Sequence, residues 1–176
     1  MDYQFDWNDH RPDSELSLEE IVARNIAAVE EHFHNENPDS VEKAVELYTD
    51  DIAWEIPARG LLLTNKDDVV AAYRNIFKSL VYEKVFHLRR FATDTYVVDD
   101  QVAYVNKVDD LMPNHDFPVG AKLSCRLLHI FEMRDGRISR EIAYELWRER
   151  DSKVDHDDII ASAVMEDFTA LTGVTA

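Results

Sequence analysis

Everything from Glu83 to Trp147 reads as strands, and this run constrains the fold more than any other feature of the chain. Apolar and polar residues alternate over about 84–93, 94–99, 101–111, 121–133 and 137–147, the two-residue period of a sheet with one covered face. Turns are expected at Asp99-Asp100 and at Arg134-Asp135-Gly136, where the Asp-Gly pair favours a tight hairpin. Helical spacing lies ahead of the run. Ser17-Leu18-Glu19-Glu20 is a capping box, and Leu18, Ile21, Val22, Asn25, Ile26, Val29 and Phe33 follow it at helical spacing. A shorter helix carries Val41, Ala44, Val45 and Tyr48 on one face, and DIAWEI (51–56) alternates as a strand that ends at Pro57. A third helix over 66–80 turns Val69, Val70, Tyr73, Ile76, Phe77 and Leu80 inward. A last helix is expected near 155–170, with Ile159, Ile160, Ala163, Val164 and Phe168 on its face. Helices followed by a block of strands predict an α+β fold, a curved antiparallel sheet with helices on one face.

The chain divides into an N-terminal arm (1–16), one domain (17–150) and a C-terminal helical extension (151–176). With 176 residues and 45% hydrophobic composition, it can bury a single substantial core. A net charge of −17 repels phosphate backbones and anionic lipid, which argues against nucleic-acid and membrane partners. No apolar run approaches the ~20 residues of a membrane span. The start, MDYQFDWNDH, lacks the basic-then-apolar profile of a signal peptide, and the single Cys125 suits a reducing cytoplasm. Only four glycines occur, none in a nucleotide-cradling pattern, and no cofactor is expected.

AYVNKVDDLM (103–112) holds the first candidate site. Ala103 and Val105 share parity with Lys107 and Asp109, so two charges fall where an apolar face should continue. That face either opens to solvent at an edge or lines a pocket. Glu141 shares parity with Ser139, Ala143 and Glu145, opposite the more apolar Ile138, Ile142, Tyr144 and Leu146. His129 shares an interior face with Leu123, Cys125, Leu127 and Phe131; it is either a core residue or, with Asp109 on a neighbouring strand, half of an acid/base dyad. His87 lies in a strand of mixed parity. Trp54 is an aromatic wall or core filler, and Tyr48, Tyr73, Tyr104 and Tyr144 can each donate a phenolic proton to a developing oxyanion. His32 and His34 are two apart on a helix and point to different faces, so they read as a solvated helix end and no metal is expected.

VELYTDDIAWEIP (45–57), KDDVVAAYRNIF (66–77) and LLHIFEMRDGRISREIAYEL (127–146) resemble the nuclear-transport-factor-2-like superfamily over about 18–150. Within it they look most like the SnoaL-like group, through His129, Phe131, Asp135, Gly136, Arg137, Ile138, Glu141 and Tyr144. The resemblance implies a cone-shaped α+β fold whose concave sheet face and helices enclose a largely apolar cavity with polar groups at its floor. Relatives include polyketide cyclases, ketosteroid isomerases, dehydratases, limonene epoxide hydrolases and proteins without chemistry. Lys107-Val108-Asp109 stands where the epoxide hydrolases carry an Arg-x-Asp pair, while Ala143 stands in place of their second aspartate. Trp54 and Ile56 replace the residues that hold their nucleophilic water, and the isomerase aspartate has no counterpart at Ile56-Pro57.

The resulting expectation is an acid/base enzyme acting on a hydrophobic, ring-containing metabolite. Asp109 or Glu141 moves the proton, supported by His129 or Lys107, with Trp54, Tyr73, Tyr144, His87 and Phe131 contacting substrate. The competing expectations are a ligand-binding or assembly module, and the small subunit of a ring-hydroxylating oxygenase. By resemblance, a homodimer forms through the convex sheet face.

Overall fold

The computed structural model describes residues 7–152 and 159–169. Its helices are α1 (Leu18–Asn35), α2 (Val41–Glu46) and α3 (Lys66–Ser79). The strands are β1 (Tyr48–Ile56), β2 (Leu61–Leu63), β3 (Leu80–Ala92), β4 (Tyr96–Lys107), β5 (Lys122–Arg134), β6 (Arg137–Glu149) and β7 (Val164–Asp167). They form one sheet in the order β2-β1-β6-β5-β4-β3-β7, antiparallel except for β1 against β6. Register shifts in β3, β1 and the β5–β6 pair bend it, because an extra residue in one strand of a pair increases local twist. The helices cover the concave side of this α+β fold.

Local chemistry accounts for the element ends. Ser17 and Glu20 make both bonds of the capping box, and Asn65 caps α3 by accepting from the Asp68 amide. Asp135 and Gly136 both take positive φ, 49° and 72°, as a tight hairpin between β5 and β6 requires. A Cβ on Gly136 would stand 2.9 Å from Arg24 Nε, so a side chain there would collide with a buried guanidinium. Arg24 is fully buried on α1 and ties down the arm, donating to Arg11 O at 2.6 Å and pairing with Asp13.

Three sequence expectations are corrected. Asp99-Asp100 is not a turn; β4 runs through it and the reversal falls at 93–95. Arg90 faces Asp99 at 2.7 Å and Arg126 holds Asp100 at 2.6 Å, which neutralises the adjacent carboxylates and lets the strand continue. The predicted C-terminal helix is absent over 164–167, which instead pairs as β7 with the edge of β3, Val164 opposite His87 and Asp167 opposite Lys84. The open backbone of an edge strand offers that pairing, whereas Ile159 and Val164 stay exposed and only Phe168 packs on the core. Residues 155–158 and 170 of that prediction lie outside the described residues. Finally, His32 is not a solvated helix end. It is fully buried, one helical turn beyond Ala28 and Val29 on the inward stripe of α1.

Candidate active site

The concave face and the helices enclose a cavity of about 630 Å³. Phe33 of α1, Trp54 of β1, Tyr73 and Phe77 of α3, and Leu127 of β5 supply apolar and aromatic wall. Glu141 stands in this wall on β6, 2% exposed, beside its cross-strand partner Trp54. The inward parity that carries Glu141 also carries Ala143 and Glu145, so a small residue separates two buried carboxylates along one strand.

Glu141 is held by phenols. Tyr48 donates to its Oε2, and Tyr73 Oη stands 3.2 Å from Oε1. Tyr73 Oη in turn accepts from Trp54 Nε1 at 3.3 Å and lies 3.3 Å from His32 Nε2. His32 Nδ1 faces the Ala44 carbonyl at 3.2 Å, which can only accept, so Nδ1 carries the ring proton and Nε2 is free to accept. The network therefore accommodates Glu141 with or without its proton. With Glu141 ionised, both phenols donate to it; with Glu141 protonated, it can donate to Tyr73 while Tyr73 donates to His32.

The electrostatics favour this balance. Removal from water disfavours the carboxylate and pushes Glu141 up to about 7, against the opposing pull of the Tyr48, Tyr73 and Trp54 donors. Burial and the neighbouring Glu141 charge push both phenols well above their ordinary range, so they remain donors. Desolvation lowers His32 to about 4 and keeps its ring neutral. Glu36, one turn beyond His32, lines the cavity and is raised by desolvation and by the charge of Glu141.

The sequence-predicted residues separate. Trp54, Tyr73, His129, His87 and Glu141 all line the cavity. His129 is 5% exposed, ring-stacked on Phe131, and lowered to about 3 by desolvation. Asp109 does not line the cavity: β4 ends at Lys107, parity lapses with it, and Asp109 is exposed in the following turn. Lys107 is buried, and its ammonium bonds to groups other than Asp109. Its Nζ donates to Asp110 at 2.5 Å, His115 O at 2.9 Å and Phe117 O at 2.6 Å, clasping the 108–120 loop. The dyad of His129 with Asp109 therefore does not form. Tyr144 faces the opposite side of the sheet at 44% exposure, and Phe131 lies beneath the wall, packed on His32, Phe33 and His129.

Three residues escaped the sequence reading of the site. His32 and Glu36 continue the α1 stripe from Asn25 and Val29 at steps of three or four, a signal masked by comparing His32 with His34. Arg59, 4% exposed in the loop after β1, grips Glu145 with two bonds of 3.0 and 3.2 Å, and Trp147 Nε1 adds a third at 2.7 Å. Among the described residues no three His, Cys, Asp or Glu side chains converge as a metal site. Nor is any helix among them long and apolar enough to cross a membrane.

A helix-covered, cone-shaped sheet with polar groups on its concave floor defines the class: the nuclear-transport-factor-2-like fold. Within it, residues 17–141 match the SnoaL-like domain, and the chain belongs to that family. No curated protein sequence matches the chain. Solved structures share the fold at low identity. An epoxide hydrolase of the LEH-like type from M. tuberculosis aligns with TM-score 0.52 and 18% identity, over 71% of this chain and 84% of the other. A protein named as a polyketide cyclase from Xanthomonas campestris aligns with TM-score 0.59 and 16% identity, over 70% and 91%. A nuclear-transport-factor-2-like protein from Burkholderia xenovorans gives 0.58 and 11%, over 71% and 91%.

Proposed function

We propose that the chain is an acid/base enzyme that moves a proton on a hydrophobic, ring-containing metabolite, with Glu141 as the catalytic residue. The observation that carries this reading is a carboxyl group brought near neutrality on the wall of an aromatic cavity, already bonded to two phenols. A group that titrates at the working pH can both take and return a proton. Tyr73, itself on the wall, is placed to donate to an oxygen that becomes charged as Glu141 removes a neighbouring proton. Enolisation of this kind is common to isomerisation, cyclisation, dehydration and retro-aldol cleavage. Water-activating hydrolysis of the epoxide hydrolase type has less support, since Lys107 and Asp109 stand outside the cavity and Ala143 replaces the second aspartate. Incubating the protein with cyclic and aryl ketones in D2O is expected to introduce deuterium α to a carbonyl above the solvent rate. Absence of exchange with every ketone that fills the cavity contradicts the reading.

We further propose a homodimer through the convex sheet face. Leu128 and Tyr144 are cross-strand partners there, next to Leu146, at 36%, 44% and 65% exposure. An exposed apolar patch of this kind on a sheet face favours self-association. Sedimentation is expected to give twice the chain mass, with Leu146→Glu shifting it to the monomer; a monomeric parent protein contradicts the proposal.

A further inference from the structure

The cavity is lined by five carboxylates, Glu36, Asp39, Glu141, Glu145 and Glu166. Glu145 is taken by Arg59 and Glu166 faces His87 at 3.5 Å. Glu36 and Glu141 converge instead on one atom, each with Oε2 3.6 Å from His32 Nε2. Among the described residues no lysine or arginine lines the cavity. Two carboxyl groups brought together out of water repel when both ionise, and each stays ionised only beside a cation.

An independent feature points the same way. His129, 5% exposed on the cavity wall, has no partner for Nδ1, and Gln101, 6% exposed farther along the same concave face, has none for Oε1. An amide oxygen only accepts, and a neutral imidazole has one accepting nitrogen. The wall thus presents an acceptor without a donor at Gln101 Oε1 and an unpartnered imidazole nitrogen at His129. A ligand bearing N–H groups satisfies the amide oxygen and, in the tautomer that leaves Nδ1 bare, the imidazole as well. Phe33, Trp54, Tyr73 and Phe77 also line the cavity, and an ammonium group is attracted to aromatic rings.

We propose that the cavity takes a hydrophobic amine in its ammonium form, with the cationic head between Glu36 and Glu141 and the apolar body along Trp54 and Phe77. The proposal rests on the same site as the acid/base reading and gives it a substrate class. The bound cation also draws Glu141 toward its carboxylate form, so that substrate itself prepares the base. His32, Tyr48 and Tyr73 are the other titratable groups against Glu141, and Asp99 and Glu141 are the charges acting on Glu36.

Calorimetric binding of 4-phenylbutylamine, 4-phenylbutan-1-ol and 4-phenylbutanoate at pH 7 tests the charge preference without requiring turnover. The amine is expected to bind at least tenfold more tightly than the alcohol, and the carboxylate not at all. Glu36→Gln is expected to weaken amine binding about tenfold while leaving alcohol binding intact, which also reports that the variant is folded. Equal binding of amine and alcohol overturns the proposal, since the site then has no charge preference. Binding of the carboxylate, or of none of the three at millimolar concentration, overturns it as well. Any of these results leaves deuterium exchange by Glu141 as a separate question.

Discussion

Glu141→Gln is expected to lower the rate of proton transfer by about 10²- to 10⁴-fold, the usual contribution of a positioned acid or base. The variant should remain folded, because an amide keeps the size of the carboxyl and can still accept from Tyr48 or Tyr73. Its stability should change in a pH-dependent way that a merely inert residue would not produce. In the parent, the folded state holds Glu141's proton from the ordinary carboxyl value of 4.5 up to about 7. The folded protein therefore binds more protons than the unfolded chain in that window, and stability falls as pH rises through it. Between pH 5.5 and 8 the variant should gain about 2 kcal/mol on the parent, read by urea unfolding at both pH values. A stability gap that does not move with pH means that Glu141 titrates like a surface carboxyl.

The second large effect has the opposite sign. His129 is buried and held neutral, its value lowered from 6.5 to about 3 by desolvation. Here the unfolded chain binds the extra proton as pH drops below 6.5, so this residue destabilises the protein progressively in acid. His129→Leu removes the titration and places an apolar side chain against Phe131 and Phe33. The variant is expected to gain roughly 2.5 kcal/mol relative to the parent on going from pH 7 to pH 4.5. Glu141 and His129 act in opposite directions in acid, so Glu141→Gln and His129→Leu should shift the pH dependence of stability in opposite directions. Equal gaps between His129→Leu and parent at the two pH values contradict a neutral buried ring.

Much of the fold could be read from the chain because its signals are local. The capping box at Ser17 and Glu20 and the Asp135-Gly136 hairpin involve residues close in sequence, and the two-residue alternation over β5 and β6 records one buried face. The site was legible only in part. Glu141, Trp54 and His129 face the cavity as strand parity predicts, because parity gives the direction of a side chain as long as the strand continues, and Tyr73 does so through the helical spacing of α3. Asp109 and Lys107 were misplaced because parity contains no information on where pairing stops; β4 ends at Lys107, and the ammonium turns to the carbonyls of the following loop. His32 was missed because a buried imidazole on a helix is recognised by its stripe of neighbours, and His34 drew attention to the wrong spacing. The C-terminal segment shows the same limit at longer range. Its apolar spacing suits a helix, but the unpaired edge of β3, folded far earlier in the chain, offers Val164–Asp167 a ladder of backbone bonds.

Glu141 is expected to exchange its proton near neutral pH inside the cavity. NMR titration of the side-chain carboxyl carbon in protein labelled at glutamate reads this exchange, with Glu141→Gln used to assign the signal. The expected midpoint is about 7, separate from the bulk of the glutamates. A midpoint near the ordinary 4.5 would contradict it, and with it the reading of this cavity as an acid/base site.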